Sequence, residues 1–394
     1  IQHVEAVYWG EARPPLIKLV PAKFVGGVLG IGSGLVLGRE GPTVHMGAAV
    51  GAEAARRARL PAPEIRMMQT ALGGAGLAVA FNAPIGGTLF TLEEVTKSFR
   101  VKTVLATLCA AATAVGVVRW MLGNRPDFLV EPMATPQLRW LWLFAVFGVL
   151  CGLLGAAYNR LVLWFLDRVG AIRRVPAPAK AAVIGALVGL AMFVYPLAVG
   201  GGDTLTEMIL GGQTFVLPVV VGYLLVRFVA GPLSYSAAVP GGLFAPLLAL
   251  GALWGVLFVG VVDAVWPHDL TGLQIPMALV GMAAFFGATV RAPVTAIGGE
   301  QGLPKKGLFD LGASGRRAGG PNTMMDQTEY DRLRQSVQKD GGAGMQEDGQ
   351  PPGRTRTRND KQEGHPQVEQ DLGLEDVDDF LTLDGLRILY ERNA

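Results

Sequence analysis

The apolar runs of this chain are broken, and they are broken in the same way twice. Hydrophobic stretches recur at about 24–37, 44–55, 70–92, 101–122, 139–166, 179–199, 215–230, 243–266 and 275–297. A plain membrane-spanning helix needs about 20 apolar residues. Several of these stretches are shorter, or carry Gly and Pro inside them, at Gly32–Gly38, Gly41–Pro42, Asn82–Pro84, Pro240–Pro246 and Arg291–Pro293. Backbone that leaves helical geometry at membrane depth loses hydrogen bonds that lipid cannot replace, so it persists only inside protein or along a polar cavity. Short interrupted helices therefore point to a transporter or channel body. Tilted or re-entrant helices without a transport role are the plainer alternative.

The interruptions repeat. Glu40-Gly-Pro-Thr-Val-His-Met-Gly-Ala48 aligns with Phe244-Ala-Pro-Leu-Leu-Ala-Leu-Gly-Ala252, and Phe81-Asn-Ala-Pro-Ile85 echoes Val290-Arg-Ala-Pro-Val294. The interval between the two prolines is 42 residues in the first half and 47 in the second. Two weakly similar halves with breaks in corresponding places are the trace of an inverted repeat; chance matching of Gly and Ala is the competing explanation. The expected fold is an all-α polytopic membrane protein built of broken and tilted helices.

Composition agrees. Of 394 residues 54 are Gly, 51% are hydrophobic and only 17% charged, against about 7% Gly and about 25% charged in soluble domains. No Gly-X-Y period runs through the chain, which excludes collagen. Cys109 and Cys151 both lie in apolar runs, so neither a disulfide framework nor a Cys-based zinc site is available. A net charge of +2 is too small to imply nucleic acid as a partner. The charge is also unevenly spread. Residues 1–297 hold 21 Lys+Arg and 14 Asp+Glu, whereas 298–394 hold 13 and 18. A boundary is thus expected near Gly298–Gly299, between a membrane body (1–297) and a polar tail (298–394). The tail is too rich in Gly, Pro and charge to fold broadly. Lys97, Arg100 and Lys102, and later Arg168, Arg173, Arg174 and Lys180, mark cytoplasmic loops, with 123–138 outside.

Chemistry concentrates at Gly38-Arg39-Glu40-Gly41-Pro42. Pro42 suits a first helical turn, and the free N–H groups of that turn make an anion site. A carboxylate at membrane depth is costly and reads as functional. Glu40 is then an acid that competes with an anion for the same amides and leaves when protonated; a helix cap, or a partner for Arg39, is the bland reading. Pro240-Gly-Gly-Leu-Phe-Ala-Pro246 is a second such turn with no acid in it. The amides of Leu243 and Phe244 would hold a dehydrated halide there, unless the turn serves only helix packing. Glu93 and Glu94 close an apolar run on the cytoplasmic side. Being adjacent on a helix, only one can face the interior, and the other is expected to face solvent or a base such as Lys97. A buried acid here would hand protons toward Glu40; a solvated helix end is the alternative. His45 reads as pore-lining or packing. No metal-ligand spacing accompanies it, and no nucleophile elbow, Walker A loop or dinucleotide fingerprint occurs, so neither enzyme chemistry nor a cofactor is expected.

These blocks, in their order, resemble the CLC family of chloride channels and chloride/proton antiporters, over essentially residues 1–297. The resemblance implies a homodimer in the lipid bilayer of the cell's inner membrane, with one anion pathway per subunit and each subunit made of two inverted halves. It makes Glu40 similar to the family's gating glutamate, with the amides of Arg39 and Gly41 flanking the external anion site. Leu243 and Phe244 match the backbone donors of the central site. Glu94 matches the internal proton-transfer glutamate that antiporters of the family carry and channels typically lack, so proton-coupled chloride exchange is the expected activity. A passive chloride channel, a fluoride exporter of the same fold and a non-transporting membrane fragment are the alternatives. Ile1-Gln-His-Val-Glu-Ala6 resembles the stretch just after the family's Gly-Ser-Gly-Ile-Pro turn, and the match stops after Ile297. The membrane domain is accordingly expected to be truncated at both ends. Tyr330 and Tyr390 lie in unrelated polar sequence and are not assigned to the family's anion-contacting Tyr. A regulatory extension and a shifted reading frame both remain open for the tail.

Overall fold

The computed structural model describes residues 1–123, 128, 130, 133, 136–266 and 270–298; the tail beyond 298 lies outside the described residues. All regular structure among the described residues is helical. The first half contains α1 (Gln2–Trp9), α2 (Leu19–Gly32), α3 (Glu40–Arg57), α4 (Ala62–Ala80) and α5 (Pro84–Phe90), the last running into a π-helical segment, Thr91–Val95. Three long apolar helices follow: α6 (Val101–Leu122), α7 (Leu141–Ala171) and α8 (Ala177–Val194). The second half contains α9 (Asp203–Leu210), α10 (Leu217–Tyr235), α11 (Phe244–Val265), α12 (Gln274–Val290) and α13 (Pro293–Gly298).

The apolar runs at 70–92 and 275–297 are each two helices, for one shared reason. An X-Ala-Pro tripeptide interrupts both. Proline disfavours helical backbone in the residue before it yet suits the start of the next helix. Asn82 and Arg291 turn left-handed at φ 49° and 64°, and α5 and α13 restart on Pro84 and Pro293. Arg119 steadies the first of these turns, donating to Asn82 Oδ1 at 2.7 Å and to its carbonyl at 3.0 Å.

The equivalent pairs α3/α4 and α11/α12 pack alike. A side chain at Gly47 or Gly51 would strike the carbonyls of Leu72 and Met68, and one at Gly251 or Gly255 would strike those of Gly281 and Met277. Glycines four apart let helix backbones touch inside a membrane. Gly47 and Gly51 are separated from Gly251 and Gly255 by 204 residues, and Met68 and Leu72 from Met277 and Gly281 by 209, so the sequence repeat is also a packing repeat. The halves meet where their loops cross. Gly38 and Gly242, again 204 residues apart, exchange both backbone hydrogen bonds, at 2.6 and 2.9 Å, in an isolated antiparallel bridge. Equivalent residues that bond each other reciprocally lie on a local two-fold axis, as an inverted repeat requires.

Five helical segments, α6, Leu138–Ala171, α8, α10 and α11, are long and apolar enough to cross a membrane. Their outer faces carry large bare side chains, such as Trp120 and Phe193, which suits lipid and not water. The chain is a multi-pass membrane protein.

Candidate functional site

The crossing of the two loops sets the N-termini of α3 and α11 beside each other. Glu40 opens α3, and Leu243 caps α11, whose first residue is Phe244. The first N–H groups of an α-helix have no carbonyl of their own helix to bond, and they carry the positive end of the helix dipole. Gly41 presses against Gly241 and Gly242: a Cβ at Gly41 would lie 3.0 Å from the Gly241 carbonyl, and one at Gly242 3.0 Å from the Gly41 amide. Only backbone fits in that space.

The Glu40 carboxyl fills the junction. It is 2% exposed, and the backbone amides of Glu40 itself and of Ala245, in the first turn of α11, face it. One oxygen, Oε2, has no partner. Gly38 and Gly242 border the same carboxyl, and a Cβ at Gly38 would overlap it. A carboxylate from one half of the repeat thus faces the helix N-terminus of the other. Arg39 donates from Nη2 to the Ala80 carbonyl at 3.0 Å and contributes backbone at the junction. Phe244 is buried among the rings of Phe81, Phe90 and Phe286, at centroid distances of 6.1, 5.1 and 4.9 Å. Glu40, Arg39, Gly41, Leu243 and Phe244 are therefore brought together in one place.

Glu94 stands elsewhere, in the π-helical segment after α5. π-Bulges are frequent at functional positions because they turn side chains out of register with the helix. Here the segment separates two adjacent acids. Of the two, Glu93 accepts from the Val294 amide at 2.9 Å and from the Thr295 amide and hydroxyl at 2.7 Å each. The α13 N-terminus lies within its reach and offers donors that lipid or water would otherwise have to match. Lys97 pairs with the buried Glu5 of α1 at 3.1 Å. Glu94 is partly buried, and Glu5, Lys97, Glu93 and Arg291 are the charged groups around it.

Sequence reasoning missed Glu5 and His3, both on the short α1. It also missed the bond of His45 Nε2 to His3 Nδ1 at 3.2 Å. A helix of about two turns is too short to signal such contacts. Among the described residues no group of three or more His, Cys, Asp and Glu is placed to hold a metal ion.

A family model described as "Voltage gated chloride channel" matches residues 1–298. The chain belongs to that family. Among curated relatives, an H(+)/Cl(-) exchange transporter ClcA of Vibrio campbellii is 36% identical over 286 residues, covering 71% of this chain and 61% of the relative. The ClcA of Vibrio cholerae serotype O1 strain O395 is 37% identical over 289 residues, with the same coverage. The chain therefore spans about three fifths of the length of these relatives. Among solved structures, a slow cyanobacterial Cl-/H+ antiporter is similar at a TM-score of 0.68 and 28% identity, covering 76% of this chain and 71% of that one. A CLC-type fluoride/proton antiporter gives 0.63 and 27%, covering 75% and 73%.

Proposed function

We propose that residues 1–297 form the transport body of a chloride/proton antiporter, gated by Glu40 and working as a homodimer in the inner membrane. One observation carries the reading: the buried Glu40 carboxyl occupies the joined N-termini of two interrupted helices, facing the Ala245 amide and with Oε2 unpartnered. Ionised, Glu40 is itself the anion of the site. Protonated, it no longer carries the charge that helix N-termini favour, and a chloride takes its place on the amides of Arg39 and Gly41. A second chloride position lies at the amides of Leu243 and Phe244. The Glu40 carboxylate and the anion thus compete for one space, and the proton that decides between them couples the two movements. Glu94 delivers protons on the cytoplasmic side, while Glu93 is held by α13. The names of the ClcA relatives and of the cyanobacterial antiporter agree with this reading.

The test is flux in liposomes. A chloride gradient across vesicles holding this chain drives protons uphill, and Glu40→Gln moves chloride without protons. Proton coupling at the wild-type ratio in Glu40→Gln sinks the proposal. A fluoride/proton exchanger is the second reading, favoured by the fluoride antiporter among the similar structures; fluoride outcompeting chloride for transport would select it.

A further inference from the structure

The ends of four helices meet at one face of the membrane body, and their charges do not balance. Arg56, in the last turn of α3, donates from Nη2 to the carbonyl of Pro15, in the loop between α1 and α2, at 3.0 Å. Gly10, where that loop begins, lies against Arg66 of α4: a Cβ there would be 2.7 Å from a guanidinium nitrogen. Glu64, in the first turn of α4, pairs with Lys102 at the start of α6 at 3.0 Å. Lys97, just before α6, pairs with Glu5 of α1 at 3.1 Å. Residues 9–18, 53–66 and 97–102 are thus held together as one surface. They hold nine Lys and Arg against three Glu, an excess of six positive charges. Two of those acids are already used, Glu53 by Arg56 and Arg57, and Glu64 by Lys102. Arg13, Lys18, Arg59 and Arg100 are exposed and make no ion pair among the described residues.

Bare apolar side chains stand between these cations. Leu16 and Ile17 precede Lys18, and Phe99 and Val101 flank Arg100; all four are exposed. Val101 opens α6, one of the helices long and apolar enough to cross a membrane. Phe99 and Arg100 therefore stand where acyl chains give way to headgroups. Apolar side chains interleaved with Lys and Arg at that level suit a membrane interface, the first entering the acyl boundary and the second meeting negative headgroups. Guanidinium groups also match phosphate oxygens two at a time. A dissolved anion or a polar acidic segment would leave the apolar side chains bare, whereas a phospholipid offers phosphate and acyl chain together. We propose that this face binds anionic phospholipid headgroups, with Arg13, Lys18, Arg59 and Arg100 on the phosphates. The site is separate from the Glu40 junction and does not depend on the gating proposal.

The experiment counts lipids retained by the intact chain in native mass spectrometry, from neutral detergent micelles holding either dioleoyl phosphatidylglycerol or dioleoyl phosphatidylcholine. Wild type retains phosphatidylglycerol in preference. Each of Arg13→Gln, Lys18→Gln, Arg59→Gln and Arg100→Gln raises the phosphatidylglycerol fraction needed for half occupancy by about fivefold, the effect expected of one basic residue near a charged membrane surface. The quadruple variant loses the preference. Lys in place of the three Arg keeps most of it, which separates charge from folding, and Arg173→Gln with Arg174→Gln, in a different basic loop, leaves it unchanged. Equal retention of the two lipids by the wild type would give the face to another occupant and overturn the proposal. So would a preference that survives in the quadruple variant, or one lost equally in the Arg173/Arg174 variant. Displacement of the lipid by inorganic phosphate at matched ionic strength would mean a site for a free ion, and would overturn it as well.

Discussion

Glu40 and Glu94 differ in what surrounds them, and that difference sets their expected roles. Glu40 faces backbone donors from two helices and keeps one oxygen unpartnered, the surroundings that the proposed exchange with an anion calls for. Glu94 stands among side-chain charges at the end of a helix, where no free helix N-terminus is offered to an anion. Glu94→Gln is therefore expected to stop proton movement while chloride movement continues, read as the loss of chloride-driven acidification in vesicles. Uphill proton movement at the wild-type rate would remove Glu94 from the pathway. Both acids were legible in the sequence because each stands out against an apolar, Gly/Pro-marked surrounding. The division of labour between Glu93 and Glu94 was not. It depends on the α13 N-terminus, which lies about 200 residues away in sequence from Glu93.

At the scale of elements, the helices were readable where chemistry punctuates them. The Asn82-Ala-Pro84 and Arg291-Ala-Pro293 breaks mark α4/α5 and α12/α13 because proline constrains its predecessor and starts a helix. The short α1 and α9 were not readable. Eight residues make only about two turns, too few for an apolar period to stand out in the sequence, and their places are fixed by Glu5–Lys97 and by the hydrogen bonds from Arg227 to the Val199 and Gly200 carbonyls. The close-packed pairs make a sharper claim. Gly251 is pressed against the Gly281 carbonyl, while Gly185 of α8 has open space around it. Gly251→Val should thus cost about 1–3 kcal/mol or more through overpacking, lowering the thermal midpoint in detergent, and Gly185→Val should leave it nearly unchanged. Equal midpoints for the two variants would refute the packing account.

At the scale of the whole molecule, two halves of one pattern cross at Gly38 and Gly242 and so set the N-termini of α3 and α11 together. The repeat was visible in sequence as two matched Gly/Pro blocks. The crossing was not, because a single backbone bridge between glycines leaves no side-chain trace. The crossing gives the central claim its physical content: helix ends that would each be a weak anion site become a shared one, with Glu40 as the resident charge. Bromide soaked into crystals of the Glu40→Gln variant, located by its anomalous scattering, tests this most directly. The account predicts a bromide peak at the amides of Arg39, Gly41 and Ala245, in the space the Glu40 carboxyl holds, with a second at Leu243 and Phe244. Bromide bound elsewhere, with that junction empty, would contradict it.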